Sequence, residues 1–270
     1  MNGIAGSSYE RAQRFVELHA GDELFVMANP TTIGVAQMLE RLGYPALGTS
    51  SAALARSYGR RDGENALTRV EAIDHAKVLA AGTTVPISGD FENGYGDDPS
   101  AVAETVRASI DAGLAGCCIE DATGRNDHAI YDPGLAAERI AAGAEAIGDA
   151  PFVLVARAEN FLHGRPDLHD TVARLQSFEA AGATAVYAPG FTTLEQVSAV
   201  VSSVGIPVNV LIGIPGQMFS LDDLAQAGVR RVSVGSGFER VANAALRRAA
   251  EQLLDTSAPL GPMFSMAWSH

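Results

Sequence analysis

A single (β/α)8 barrel of the TIM type is the fold this sequence predicts, and two observations predict it. Short runs rich in Val, Ile and Ala alternate with helix-period stretches from one end of the chain to the other. Those runs are almost wholly apolar, as in parallel strands covered on both faces, instead of alternating apolar with polar. Eight such units within 270 residues suit a closed barrel better than an open sheet.

Taken in order, an extra N-terminal helix, "SYERAQRFVELHAG", comes before the first strand and is placed to cap the barrel's bottom. Strands are expected at 23–29, 44–50, 84–90, 115–121, 152–158, 183–189, 207–212 and 230–236. Between them, "PSAVAETVRASIDAG" (99–113) and "PGLAAERIAAGAEAIG" (133–148) open on Pro and close on Gly, the ordinary asymmetry of helix ends. No Pro/Ser-rich linker interrupts the pattern. The expectation is one domain over 1–270, with a final helix "RVANAALRRAAEQLL" and a short tail over 256–270 carrying Phe264 and Trp268.

A net charge of -13 disfavours a nucleic-acid partner, and no Lys/Arg run supplies a local basic stripe. The chain shows neither a basic-then-apolar leader nor an apolar run of about eighteen residues, so a soluble, cytoplasmic protein without a membrane partner is expected. Cys117 and Cys118 are adjacent. On a strand they point to opposite faces, so neither a bridge between them nor a zinc site is expected.

In such a barrel the chemistry sits on the loops after the strands. Ionisable residues here concentrate after strands two to five, in "SSAALARSYGRRDGE", "DFENGYGDD", "EDATGRNDHAIYD" and "RAENFLHGRPD". Asp90 and Glu92 close the third strand, two residues apart, and would share a face if strand geometry ran on; Glu120 ends the fourth. Such carboxylates repel without a cation, and an all-oxygen set points to Mg²⁺ or Mn²⁺. The competing account is helix capping and pairing with arginines. Arg157 ends the fifth strand, where its planar fork suits a substrate carboxylate or the acidic cluster itself, and Glu159 is its nearest candidate partner.

These four loops, each after its own strand and in this order, resemble the isocitrate lyase/phosphoenolpyruvate mutase superfamily, over the stretch from "VMANPTT" to "VSVGSGFERVANAAL". The resemblance implies a modified TIM barrel that binds Mg²⁺ and a small 2-oxo or 2-hydroxy carboxylic acid. It also implies a homodimer or homotetramer in which the last helix is exchanged between subunits. By motif position Asp90 would ligate the metal directly, with Glu92, Glu120 and Asp62 acting through water. Ser50, with the backbone of Ser51 and Ala52, would hold the substrate carboxylate or its enolate oxygen, and Arg157 would stabilise the same charge. The reaction implied is C–C cleavage by lysis, hydrolysis or decarboxylation. The alternatives are P–C chemistry on phosphoenolpyruvate or phosphonopyruvate, and a non-catalytic keto-acid-binding protein.

The resemblance thins at the loop after the fourth strand. Isocitrate and methylisocitrate lyases carry a Lys-Lys-Cys-Gly-His loop there; this one reads "EDATGRNDHAIYDPG", without Cys or Lys. Phosphonomutases carry Lys and Asn in that loop, where this chain has Arg125 and Asn126, which are its candidate substrate contacts there, and Pro189 stands where the mutases have His. His128 is the candidate acid or base in the same loop; a solvated loop histidine is the alternative. "GVRRVSVGSGFERV" reads as a helix start in preference to a phosphate site, because the cations lie elsewhere. With Arg157 as the assured cation at the mouth, the negative charge tolerated on the leaving side is limited.

Overall fold

The computed structural model describes residues 7–63, 65–125, 127 and 129–254. Strands β1 (Phe25–Ala28), β2 (Ala46–Gly48), β3 (Ile87–Asp90), β4 (Gly116–Glu120), β5 (Val153–Arg157), β6 (Ala185–Tyr187), β7 (Val208–Leu211) and β8 (Arg231–Ser233) pair in sequential order and close into a barrel. All pairs are parallel, including β1 with β8. Each strand lies inside its expected window and is shorter, because the flanking residues already bend into turns.

The helices are α1 (Ser8–Ala20), α2 (Ile33–Arg41), α3 (Ser51–Ser57), α4 (Arg69–Ala81), α5 (Pro99–Asp111), α6 (Pro133–Ile147), α7 (Leu168–Ala180), α8 (Leu194–Val201), α9 (Leu221–Gln226) and α10 (Gly237–Leu254). Local sequence sets their starts. Ser7 with Glu10, Thr68 with Glu71 and Thr193 with Gln196 form reciprocal capping boxes, and Pro99 and Pro133 occupy first turns.

Two apolar layers hold the barrel. The outer one, between strands and helices, includes Cys117, Leu154 and Val186, whereas the inner one, inside the barrel, includes Phe25, Cys118, Val153 and Tyr187. The adjacent cysteines therefore face opposite layers, both buried and both free, as strand alternation requires. Helix α1 closes the bottom: Phe15 and His19 are buried and pack edge-to-face on Phe25 at the start of β1.

Helix α10 contrasts with the other long helices in having no buried residue, and Val241, Leu246 and Leu254 are exposed on it. Its first turn is tied to α3 by a 2.8 Å ion pair between Glu239 and Arg56. The tail with Phe264 and Trp268 lies outside the described residues.

Candidate metal and substrate site at the barrel mouth

Asp90 is the last residue of β3. Its Oδ2 accepts hydrogen bonds from the Ser51 amide (2.8 Å) and hydroxyl (2.9 Å), and its own amide donates to Thr49 Oγ1 at 2.7 Å. One carboxylate oxygen is thus fixed by the start of α3. The other, Oδ1, lies 3.8 Å from Arg157 Nη1.

Glu92 reaches the same place by a different route from the one expected. The strand ends at Asp90, and Glu92 adopts a left-handed conformation, φ 47°, uncommon for a residue with a Cβ. Backbone pairing nevertheless continues: Phe91 N–H donates to Cys118 O and Glu120 N–H to Glu92 O. The turn buries Glu92 and leaves its Oε1 without a hydrogen-bond partner among the described residues. Burial and the charges of Asp90 and Asp62 push its carboxyl up to about 8.

Glu120, at the end of β4, lies 3.4 Å from Arg157 Nη1; burial pushes its carboxyl well above the usual range, and Arg157 opposes that shift. Asp121, next in sequence, faces away from the mouth. Its oxygens accept from the Glu159 amide at 2.8 Å and from Arg174 at 3.0 Å, bracing the end of β5. Arg157 itself donates from Nε to Glu159 and stacks 4.9 Å from the centre of the Tyr187 ring. Glu159 Oε2 lies 3.7 Å from His163 Nε2. The Arg157–Glu159 partnership expected from the sequence is present, and the same guanidinium also serves Asp90 and Glu120.

Asp62 sits on the exposed turn after α3, and desolvation of its carboxyl together with the charge of Asp90 raises its pKa. Among the described residues no three His, Cys, Asp or Glu side chains form a ready-made metal cage. Mg²⁺ does not need one, since it is usually held by one or two carboxylates and several waters. The residues present fit such an ion. The donors are all oxygen, Glu92 has a buried oxygen unpartnered among the described residues, and desolvation, with neighbouring carboxylates adding to it, raises three of the carboxyls.

Of the expected substrate contacts, Ser50 caps α3, its Oγ accepting from Ala53 N–H at 3.4 Å, and the Ser51 amide is engaged by Asp90. Ala52 follows in the first turn of the same helix. Arg125 is not brought to the mouth. Its Nη1 donates to Asp97 Oδ2 at 2.6 Å, and Tyr131 Oη donates to the other oxygen at 2.6 Å, an arrangement that holds the loop after β4 against the loop after β3. The exposed Asp97 carboxylate, which its sequence position did not mark as a partner, holds Arg125, and a substrate contact from Arg125 would require it to leave that pair. Asn126 and His128 lie outside the described residues. Tyr95 packs against Phe91, and its buried hydroxyl has no partner.

The sequence reading passed over the barrel interior below Asp90 and Arg157. A cavity of about 50 Å³ there is lined by both residues and by Thr49, Asn209, Arg231 and Ser233. Larger hollows of about 500 and 870 Å³ open at the other end of the barrel, beside α1, away from the acidic cluster. The local signal for the interior is an arginine at the start of a strand whose next residues are buried, "RRVSV".

A closed parallel barrel with an acid-rich mouth organised around one strand-end arginine defines a recognisable class. The sequence profile of the family described as phosphoenolpyruvate phosphomutase matches residues 15–254, and the chain belongs to that family within the isocitrate lyase/phosphoenolpyruvate mutase superfamily. A crystal structure from Burkholderia cenocepacia J2315, described only as a lyase or mutase, is 45% identical with a TM-score of 0.89, over 93% of this chain and 91% of that one. An oxaloacetate decarboxylase from Paraburkholderia xenovorans is 31% identical over 78% of this chain and 71% of its own length. A 2-methylisocitrate lyase from Shewanella oneidensis is 28% identical over 90% of this chain and 85% of its own length.

Proposed function

We propose that this protein is an Mg²⁺- or Mn²⁺-dependent enzyme that cleaves a C–C bond in a small 2-oxo or 2-hydroxy carboxylic acid by way of an enolate. The observation that carries the reading is the set Asp62, Asp90, Glu92 and Glu120 around Arg157, with the buried Oε1 of Glu92 lacking a hydrogen-bond partner among the described residues. Asp90 and Glu92 would hold the ion, with Glu120 and Asp62 acting through its waters. When bound, a divalent ion there polarises a chelating oxygen and favours negative charge on it. The protein's own part is the rest. Arg157, oriented by Glu159 and the Tyr187 ring, is aimed where an enolate oxygen gains charge, and a preorganised donor of that kind acts chiefly on the transition state. Asp121 and Arg174 hold the end of β5 so that Arg157 does not have to be ordered at each turnover. The proton donor or base is His128 in this reading.

The engagement of Arg125 by Asp97 favours C–C over P–C chemistry, because a phosphonate would call for a further cation above the metal. Oxalate, which mimics the two chelating oxygens of a pyruvate enolate, tests the site. It is expected to bind with Mg²⁺ and not in EDTA; equal binding in EDTA would sink the metal–enolate mechanism. A panel of oxaloacetate, alkylmalates, phosphonopyruvate and phosphoenolpyruvate, read as pyruvate release or isomerisation, decides the reaction. Mg²⁺-dependent oxalate binding with no turnover across the panel would favour the non-catalytic reading.

We further propose that α10 docks on a second copy of the chain, giving a homodimer or homotetramer. Its absence of buried residues and its exposed Val241, Leu246 and Leu254 support this. A monomer by light scattering at micromolar concentration would remove it.

A further inference from the structure

Arg231, the first residue of β8, is 2% exposed, and among the described residues no carboxylate pairs with it. Its Nε donates to Asn209 Oδ1 at 2.9 Å, and its Nη1 lies 3.4 Å from His19 Nε2. His19 Nδ1 is 2.8 Å from the Phe15 carbonyl, which can only accept, so Nδ1 carries the proton and Nε2 accepts from Arg231. Burial, with Arg231 alongside, pushes His19 down to about 3, so the ring is neutral and brings no charge of either sign. Burial also lowers Arg231, to about 10, which leaves it cationic at neutral pH. A buried guanidinium with only neutral partners is an unusual thing for a fold to keep.

The hydrogen bonds around it have a direction. Arginine has no acceptor, so Asn209 must turn its carbonyl oxygen to Arg231, and its amide nitrogen donates to Ser233 Oγ at 2.9 Å. Ser233 Oγ accepts that bond, which frees its proton for another acceptor. Arg231, Asn209 and Ser233 all line the 50 Å³ cavity that also touches Asp90 and Arg157. The register explains the meeting. Arg231 pairs with Asn209, Asn209 with Tyr187 and Tyr187 with Arg157, so both arginines belong to one row of residues pointing the same way. The cavity thus has a cation on two sides, and from the β7–β8 side it meets hydrogen-bond donors.

We propose that Arg231, with Asn209 and Ser233, is a second anion anchor that binds the distal carboxylate of a short dicarboxylic 2-oxo or 2-hydroxy acid. The proposal rests on the reading above that the 2-oxo or 2-hydroxy end sits at Asp90 and Arg157. It revises the charge limit drawn from the sequence, where Arg157 was the assured cation. Arg231 is then a specificity-determining residue, selecting substrates that carry two negative charges.

The test uses the full chain with Mg²⁺ and calorimetric titration of two stable ligands, malate and 2-hydroxybutanoate. They share the 2-hydroxy acid end and differ by a distal carboxylate in place of a methyl group. Malate is expected to bind at least about tenfold more tightly, as for a charge-assisted contact. Arg231→Met should abolish that preference while changing 2-hydroxybutanoate binding by less than about threefold, and Arg231→Lys should retain part of it. Asn209→Asp sets a carboxylate against Arg231 in place and should also abolish the preference, which keeps the test available if Arg231→Met fails to fold. Equal weakening of both ligands in Arg231→Met would show a strut with no role in specificity and overturn the proposal. So would absence of a malate preference in the parent, or its survival in both variants. Mg²⁺ dependence of 2-hydroxybutanoate binding reports on the mouth alone, so failure there would count against the proposed function and not against the anchor.

Discussion

At the mouth of the barrel carboxylates outnumber cations; in its interior, along the register row that Arg157 shares, a cation stands with no carboxylate among the described residues. The mouth is built on the ends of β3, β4 and β5 and the interior on β7, β8 and α1, and both bury ionisable groups. They differ in which charge is left over. At the mouth the surplus is of carboxyl groups, Asp62, Asp90, Glu92 and Glu120, with Arg157 in contact with two of them and burial holding Glu92 and Glu120 toward their neutral forms without metal. In the interior the surplus is the single positive charge of Arg231, supported by Asn209 and His19. A fold selected only for stability would have paired these groups with each other or replaced them with apolar side chains. Keeping them apart across a cavity leaves each free to bind something that comes from outside, a cation at one end and an anion at the other.

The largest effect should come from the residue that joins the two regions. Arg157→Ala removes the positive charge that Asp90 and Glu120 share, together with the donor aimed at developing enolate charge. We expect kcat/KM to fall by at least about a hundredfold, roughly 3 kcal/mol of transition-state stabilisation. Oxalate binding should weaken in parallel, as read by calorimetry. A fall of less than tenfold would mean that the interior cation carries the substrate charge unaided.

Glu92→Gln separates stability from function at the mouth. Burial and two neighbouring carboxylates already disfavour the Glu92 charge. The neutral isostere should therefore stabilise the metal-free protein at pH 8 by about 1–2 kcal/mol, a Tm gain of roughly 3 °C or more. The same change should weaken Mg²⁺ about tenfold, because a ligating oxygen loses its charge. Thermal melts with and without Mg²⁺ check both signs at once. A variant less stable without metal would show that Glu92 has a favourable partner at the mouth.

The two regions should also answer pH in opposite directions. Glu92 has a folded-state pKa near 8, above its unfolded value of 4.5, so its favourable contribution is full below 4.5 and is lost as pH rises toward 8. His19 has a folded value near 3, below its unfolded 6.5, so its contribution is full above 6.5 and is lost as pH falls toward 3. The metal-free protein should therefore be most stable on the acid side of neutrality. Mg²⁺ should move that optimum upward by favouring the ionised mouth. His19→Gln, which keeps a donor and an acceptor, should flatten the acid limb by roughly 1 kcal/mol at pH 4 and leave the alkaline limb as it was. An unchanged acid limb would place the acid-labile charge elsewhere.

The sequence made the mouth legible and left the interior dark, for a physical reason. Strand alternation and the rule that barrel chemistry follows strand ends are both local, so Asp90, Glu120 and Arg157 could be placed by position alone. Cys117 and Cys118 fell to opposite layers on the same argument. Glu92 was assigned to the right place through a strand that stops short of it, because a left-handed turn returned its side chain to Asp90. Arg231, Asn209 and His19 come from β8, β7 and α1, and their meeting depends on barrel closure and register, which no stretch of sequence displays. Their local trace is an arginine at the start of a strand, and helix α10 begins so soon after it that the same stretch reads as a helix start.

The smallest effect is expected where an exposed pair replaces an expected site contact. Arg125 and Asp97 form a 2.6 Å ion pair with both side chains about half exposed, 44% and 54%, so solvent and salt screen it and its loss should leave Tm unchanged within error. Hydrogen bonds from the Tyr131 hydroxyl and from Arg125 together hold the Asp97 carboxyl below the usual range, and Tyr131 remains in Arg125→Ala. The loop after β4 therefore loses the Arg125 tie but keeps those that Tyr131 makes to Asp97 and Asn93 in the loop after β3. If the pair is no more than that tie, kcat/KM for a C–C substrate should change by less than about threefold. The contrast with Arg157→Ala is what gives the measurement its force. A loss of a hundredfold would mean that Arg125 leaves Asp97 and folds over the substrate during turnover. The mouth would then gain the cation that a phosphonate requires, and P–C chemistry would become the better account of this site.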